Sequence, residues 1–262
     1  MSGFSFGSYY PQESPVHRMD PRVKLVLGLC FLIVSLTGST WLSLAVSAAF
    51  VVACYALSRV PLRRAVRSVA PLMGIVVLVA LLRLFTDQGG DLLWACGPMH
   101  IYEAGAASAA FTVVRLTLMM AGMSLVTLTT PTLDLTAGFE RLMMPFARFG
   151  LPAHELGMML GLALRFMPQL ADELKATYDA QVSRGAKRAG GPVAMLRMLT
   201  SLTVPLFAGV FRHAEALSAA MDARCYHGEQ GRTRLHPLRC GRIDAVAVGV
   251  FAAYAIVALL VR

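Results

Sequence analysis

Five apolar runs constrain this chain more than anything else in it. Residues 23–37, 41–58, 69–85, 104–129 and 243–261 each carry at most one charged side chain. A bilayer core about 30 Å thick needs roughly 20 such residues, and its backbone must satisfy its own hydrogen bonds, so each run is expected to coil into a spanning helix. The first run is short, and it serves as a span only if Gly38-Ser39-Thr40 makes a tight turn before Trp41. Hydrophobic residues make up 56% of the 262 positions and charged residues 15%, well short of the roughly 25% charged share of a soluble domain. The chain reads as an all-α integral membrane protein.

The formal charge of +9 fits basic loops on one side of a membrane. No base-stacking aromatic pattern accompanies it, so no nucleic-acid partner is expected. Four arginines in the compact loop 59–67 and the basic stretch 141–242 lie on one side, whereas 86–103 holds no lysine or arginine. The positive-inside rule then puts the N-terminus and the middle of the chain in the cytoplasm. Residues 1–22 read as a cytoplasmic lead-in without the order of a cleaved signal, 23–130 as spans one to four, 131–242 as a cytoplasmic segment and 243–262 as span five. Asp20 before Pro21 reads as an N-cap with proline at the first helical position. Cys30 and Cys54 lie in apolar runs and Cys96 in the loop after Phe85, so no disulfide framework is legible.

The cytoplasmic segment is the informative part. Asp134 is placed to cap a helix from Leu135 to about Phe149, stopped by Gly150 and Pro152. A second helix from about Ala153 to Arg184 carries Leu156, Leu160, Ala163, Met167, Leu170 and Leu174 at three- and four-residue steps, with a bend expected at Pro168. Its length of roughly 48 Å and its charges argue against a simple crossing of the membrane. Pro192 opens a third helix with its own apolar stripe and an internal Pro205, and the two long helices are expected to cross. One ends in Ser183-Arg184-Gly185, the other in Asp222-Ala223-Arg224-Cys225. An arginine at such an end can cap carbonyls and complement the macrodipole. Two rigid rods tipped with permanently charged forks also suit docking into a partner protein. Met158, Met159, Met167, Met195 and Met198 lie along these helices, and their flexible side chains suit a surface that accepts several partners.

Catalytic chemistry is missing. There is no phosphate-binding loop, no nucleophile elbow and no His-Glu-x-x-His, since His154-Glu155 lacks the second histidine. Cys225, His227, His236 and Cys240 have ligand-capable side chains, but their spacing is unlike common zinc patterns, and no metal or cofactor is expected on this chain. Asp222-Ala223-Arg224 faintly resembles the metal-binding run of phosphatidyltransferases without the further aspartates, so a membrane-bound lipid-modifying enzyme is the runner-up reading.

The chain resembles the transmembrane T component of energy-coupling-factor importers. Tyr10-Pro11, Ser14 and His17-Arg18-Met19-Asp20-Pro21-Arg22-Val23-Lys24 are similar to that family's entry motif, with Met19 for leucine. Arg165-Phe166-Met167-Pro168 is similar to its mid-helix element. The ends at Arg184 and Arg224 fall where the family has two Ala-Arg-Gly motifs, with Ser183 replacing alanine and Cys225 replacing the second glycine. That last change puts a left-handed cap at 225 in doubt, with Gly228 as substitute. The resemblance implies a non-catalytic subunit in the lipid bilayer of a prokaryotic inner or plasma membrane. Two ABC-type ATPases, which hold ATP and magnesium, take the arginine tips, and a substrate-binding membrane S component rides on the apolar face for uptake of vitamins or other micronutrients. A form dedicated to cobalt or nickel is the alternative within the family.

Overall fold

The structure, a computed structural model, describes residues 9–87, 89, 91–96, 99–150, 152–185, 191–228 and 241–261. They fall into two compact units, one drawn from residues 9–142 and 241–261, the other from 143–228.

The first unit is a bundle: α1 (Pro21–Thr37), α2 (Trp41–Ser58), α3 (Leu62–Val69), α4 (Met73–Thr86), α5 (Glu103–Thr129), α6 (Thr132–Met143) and α9 (Arg242–Leu260). Local chemistry sets the starts. The Asp20 side chain accepts from Arg22 N with Pro21 at N1, and Thr40 caps α2 by accepting from Ser43 N. Packing is centred on α5, which meets α1, α2, α3 and α4, while α9 closes against α1 and α2. Small residues permit the approach: a Cβ at Gly105 would lie 2.6 Å from the Leu84 carbonyl oxygen, and one at Gly122 would enter the Phe31 ring. The core joins Phe31, Val51, Tyr55, Leu128, Phe251 and Tyr254. Phe50 stacks on Tyr254 with centroids 4.3 Å apart. Ser47 Oγ donates to Ser43 O, so Tyr254 O–H donates to Ser47 Oγ at 3.0 Å.

Among the described residues, five helical stretches are long and apolar enough to cross a membrane, the number expected: Trp41–Ser58, Arg63–Thr86, Glu103–Thr129, Met195–Ala223 and Arg242–Leu260. Four of the five fall in the expected spans. The first apolar run forms α1, whose 17 residues reach about 26 Å, the short end of the spanning range, and α2 follows after Gly38-Ser39-Thr40. The fifth stretch is most of a helix from the segment read as cytoplasmic, the least apolar of the five at mean hydropathy 1.2. The arginine-rich stretch read as a loop is mainly the helix α3, because Ala65 and Val69 recur on one buried side while Arg63, Arg64 and Arg67 face outward. Two short strands pair antiparallel, β1 (Leu92–Cys96) with β2 (Met99–Tyr102), setting Trp94 opposite Ile101 and Ala95 opposite His100. Trp94, Ile101 and Tyr102 are residue types favoured in strands, a signal absent from the charge pattern, which showed only a loop. α6 starts at Thr132, with Asp134 in its first turn instead of at the cap. It ends at Met143, and Pro145, which lacks an N–H, sits in the 3₁₀ turn Met144–Phe149 that follows.

Candidate functional site

The second unit is built on α7 (Ala153–Ser183) and α8 (Pro192–Ala223). Both run through interior prolines, Pro168 and Pro205. Three contacts set their register. Tyr226 O–H donates to Met158 Sδ at 3.0 Å and lies 3.4 Å from His154 Nε2. Gln169 Nε2 lies 2.7 Å from His213 Nε2, and the Phe166 and His213 rings approach to 6.4 Å. The Gly209 carbonyl can only accept from His213 Nδ1, so His213, when neutral, keeps its proton there and takes the Gln169 amide proton on Nε2. Further along, Glu173 presses on buried Gly209 so closely that a Cβ there would collide with its carboxylate. Rising numbers on α7 meet falling numbers on α8, so the pair is antiparallel. Its arginine ends therefore point apart: Arg224 lies beside the start of α7, and Arg184 is roughly 40 Å of helix away.

Each arginine sits one residue past its helix, on the same kind of cap. On α7, Arg184 N donates to Ala180 O, and Gly185 N to Val182 O, with Gly185 at φ 91°. On α8, Cys225 N donates to Asp222 O at 2.9 Å and Tyr226 N to Met221 O at 3.1 Å, the paired bonds of a Schellman turn. Cys225 itself takes φ 53°. The left-handed cap is thus kept at 225 without glycine, and Gly228, at φ 87°, is an additional turn instead of a substitute. Ser183 Oγ bonds back to Asp179 O and leaves the tip clear. Asp222, Ala223, Arg184 and Arg224 are all exposed, and among the described residues neither arginine enters an ion pair.

The structure divides the other singled-out residues. Arg165 and Pro168 lie exposed on α7. Met159 and Met195 are exposed, whereas Met158, Met167 and Met198 are half-buried. A larger apolar face lies on α8, where Leu196 and Leu199 of the expected stripe, with Val204, Phe207 and Phe211, are exposed beside Met195. Its signal was present as a helix apolar on more than one stripe.

The entry motif belongs to the bundle and forms a seat. Lys24 Nζ donates to His17 O, Thr129 O and Thr130 Oγ1 at 3.1 to 3.2 Å. Asp20 N donates to Asp244 Oδ1 at 2.8 Å, and Asp244 Oδ2 takes Gly241 N at 2.7 Å. Arg22 Nε stands 3.8 Å from Asp20 Oδ1, and Pro21 packs on Gly138 of α6. His17 Nε2 donates to Tyr10 O, so its Nδ1 accepts from the Ser14 hydroxyl at 2.7 Å. Burial lowers the His17 pKa from 6.5; the Tyr10 carbonyl opposes that shift and the Lys24 charge adds to it. Asp244, Thr129 and Thr130 could not be singled out beforehand, because they lie far from the motif in sequence.

No group of three or more metal-ligating side chains gathers among the described residues. His236 and Cys240 lie outside them, while Cys225 and His227 are exposed with His227 Nδ1 2.7 Å from Cys225 O.

A bundle of apolar helices with a long, arginine-tipped helix pair defines the class as a multi-pass helical membrane protein. Residues 12–235 match the family model CbiQ, described as cobalt transport protein. The chain is 40% identical over 248 residues to the energy-coupling factor transporter transmembrane protein EcfT of Thermosediminibacter oceani, covering 94% of this chain and 93% of that one. It is 43% identical over 252 residues to the EcfT protein of Thermanaerovibrio acidaminovorans, covering 94% and 91%, and 38% identical over 261 residues to that of Heliobacterium modesticaldum, covering 99% and 98%. The chain belongs to this family of energy-coupling factor transporter transmembrane components.

Proposed function

We propose that this chain transmits the motion of two ABC-type ATPase subunits to a substrate-binding membrane S component. One observation carries the reading: two helix ends about 40 Å apart each present an exposed arginine, without an ion pair among the described residues, just before a left-handed cap. Such spacing suits one ATPase per tip, and a guanidinium fork suits anchoring in each. ATP and magnesium are held by those partners, and this chain is non-catalytic. The exposed apolar face of α8, with Met159 and Met195, is the surface for the S component, which selects the vitamin or micronutrient. Residues 131–242 act as the coupling segment, and they and the N-terminus are cytoplasmic because arginine concentrates at 59–67 and 141–242.

The test is copurification with tagged ATPases. Arg184→Glu or Arg224→Glu weakens retention about 30-fold or more, the scale expected when one partner of a buried charge pair is removed. The double variant loses both ATPases, and lysine rescues only in part. Wild-type retention by the double variant would refute the reading. A form dedicated to cobalt or nickel ions is the second reading, favoured by the description of the matched family; uptake of radiolabelled cobalt by the assembled complex separates the two.

A further inference from the structure

An apolar cavity of about 230 Å³ opens in the bundle between the first half of α1, the second half of α2, the end of α5 and the first half of α9. Its few polar neighbours are already occupied. Lys24 donates all three ammonium protons to His17 O, Thr129 O and Thr130 Oγ1. The Tyr55 hydroxyl donates to Ala121 O at 2.8 Å, and the Thr129 hydroxyl to Leu125 O at 2.8 Å. Water needs two to four polar partners to be held in a cavity, and beyond the weak Cys54 thiol these side chains keep no free donor. A polar ligand would be equally unpaired, so the occupant is hydrocarbon.

The cavity's lips show where the hydrocarbon comes from. Leu57 on α2 and Ile243, Val246 and Val250 on α9 line it and are also exposed to the surroundings. The groove therefore opens sideways from the helix bundle. Arginine lies at the same end of both lips: Arg59 two residues after Leu57 at the end of α2, and Arg242 immediately before Ile243 at the start of α9. Both are exposed, and among the described residues neither forms an ion pair. A hydrocarbon slot with unpaired cations at one end complements an amphiphile with an anionic head.

We propose that this groove binds one acyl chain of an anionic phospholipid, with its phosphate held by Arg59 and Arg242. The site is independent of the coupling helices and of any ATPase, so it can be tested on the full chain alone.

The probe is phosphatidylglycerol or phosphatidylcholine carrying a diazirine on one acyl chain, present as a small fraction of phosphatidylcholine nanodiscs holding the protein, with adducts mapped by peptide mass spectrometry. Phosphatidylglycerol is expected to label Phe50, Cys54 and Val250 well above the phosphatidylcholine level, by about fivefold for each arginine engaged. The exposed Leu78 and Leu82 of α4 report ordinary lipid contact and should be labelled alike by both lipids. Arg59→Gln with Arg242→Gln should bring the Cys54 signal down to the phosphatidylcholine level. Ala247→Phe, which fills the groove, should remove that signal and spare Leu78. Equal labelling of Cys54 by both lipids would overturn the proposal. So would an undiminished signal in the arginine double variant, or absence of label from the groove with either lipid, which would mean that protein covers it.

Discussion

Asp244→Ala tests whether the entry motif is held by the last helix of the bundle. The carboxylate is buried and makes two charge-assisted bonds, 2.8 Å to Asp20 N and 2.7 Å to Gly241 N. Bonds of that kind contribute about 1.5 to 3 kcal/mol each. The Gly241 amide is only partly buried and can turn to water, which recovers much of its share. The Asp20 amide is buried and has no such recourse, so its full desolvation cost remains. Removing a buried carboxylate relieves its own desolvation and offsets part of the loss. The balance is a destabilisation of about 3 kcal/mol for alanine. Asparagine keeps one acceptor oxygen for the Asp20 amide and should cost about 1 kcal/mol. The measurement is unfolding in mixed micelles of mild detergent with increasing dodecyl sulfate, accompanied by hydrogen exchange at the start of α1, where protection should fall in step with stability. An alanine variant within about 0.5 kcal/mol of wild type, the range of ordinary surface substitutions, would refute the seat as described.

Other expected outcomes follow from single residues. Cys225→Gly relieves a side chain held at φ 53° and should be neutral or stabilising by up to about 1 kcal/mol, while Cys225→Val should cost about 1 to 2 kcal/mol, both read from unfolding midpoints. Gly105→Ala drives a Cβ against the Leu84 and Asp87 carbonyl oxygens and should destabilise by about 2 to 3 kcal/mol; Gly161→Ala, with open space around it in α7, should stabilise by up to about 1 kcal/mol in the same assay. The His17 pKa is lowered from 6.5 in the folded chain, so the unfolded chain binds more protons between the folded value and 6.5. His17 therefore contributes stability that is complete above pH 6.5 and is lost as pH falls through that window; a melting temperature that drops from pH 7.5 to pH 5 less steeply in His17→Gln than in wild type checks this.

Much of the molecule was legible in one dimension because its determinants are local. The cap at Asp20-Pro21, the turn at Gly38-Thr40, the start of α8 at Pro192 and the ends at Arg184 and Arg224 each depend on residues within one helical turn. The paired strands β1 and β2 and the helix α3 were less visible, since a charge pattern marks a connection without fixing its shape. The boundary of α6 shifted because proline at 131 and 145 outweighed the side-chain cap expected at Asp134.

Sequence alone determined that the chain enters a membrane, where most of its helices begin and end, and which arginines stand at the helix tips. Those properties follow from side-chain transfer energies and from bonds within four residues. Tertiary structure alone decided that α7 and α8 run antiparallel with their tips roughly 40 Å apart, that Gly209 takes Glu173 against its backbone, and that Asp244 and Thr129 hold a motif more than a hundred residues away. Such pairings depend on which surfaces meet when the helices pack, and no period or spacing along a single chain encodes that choice.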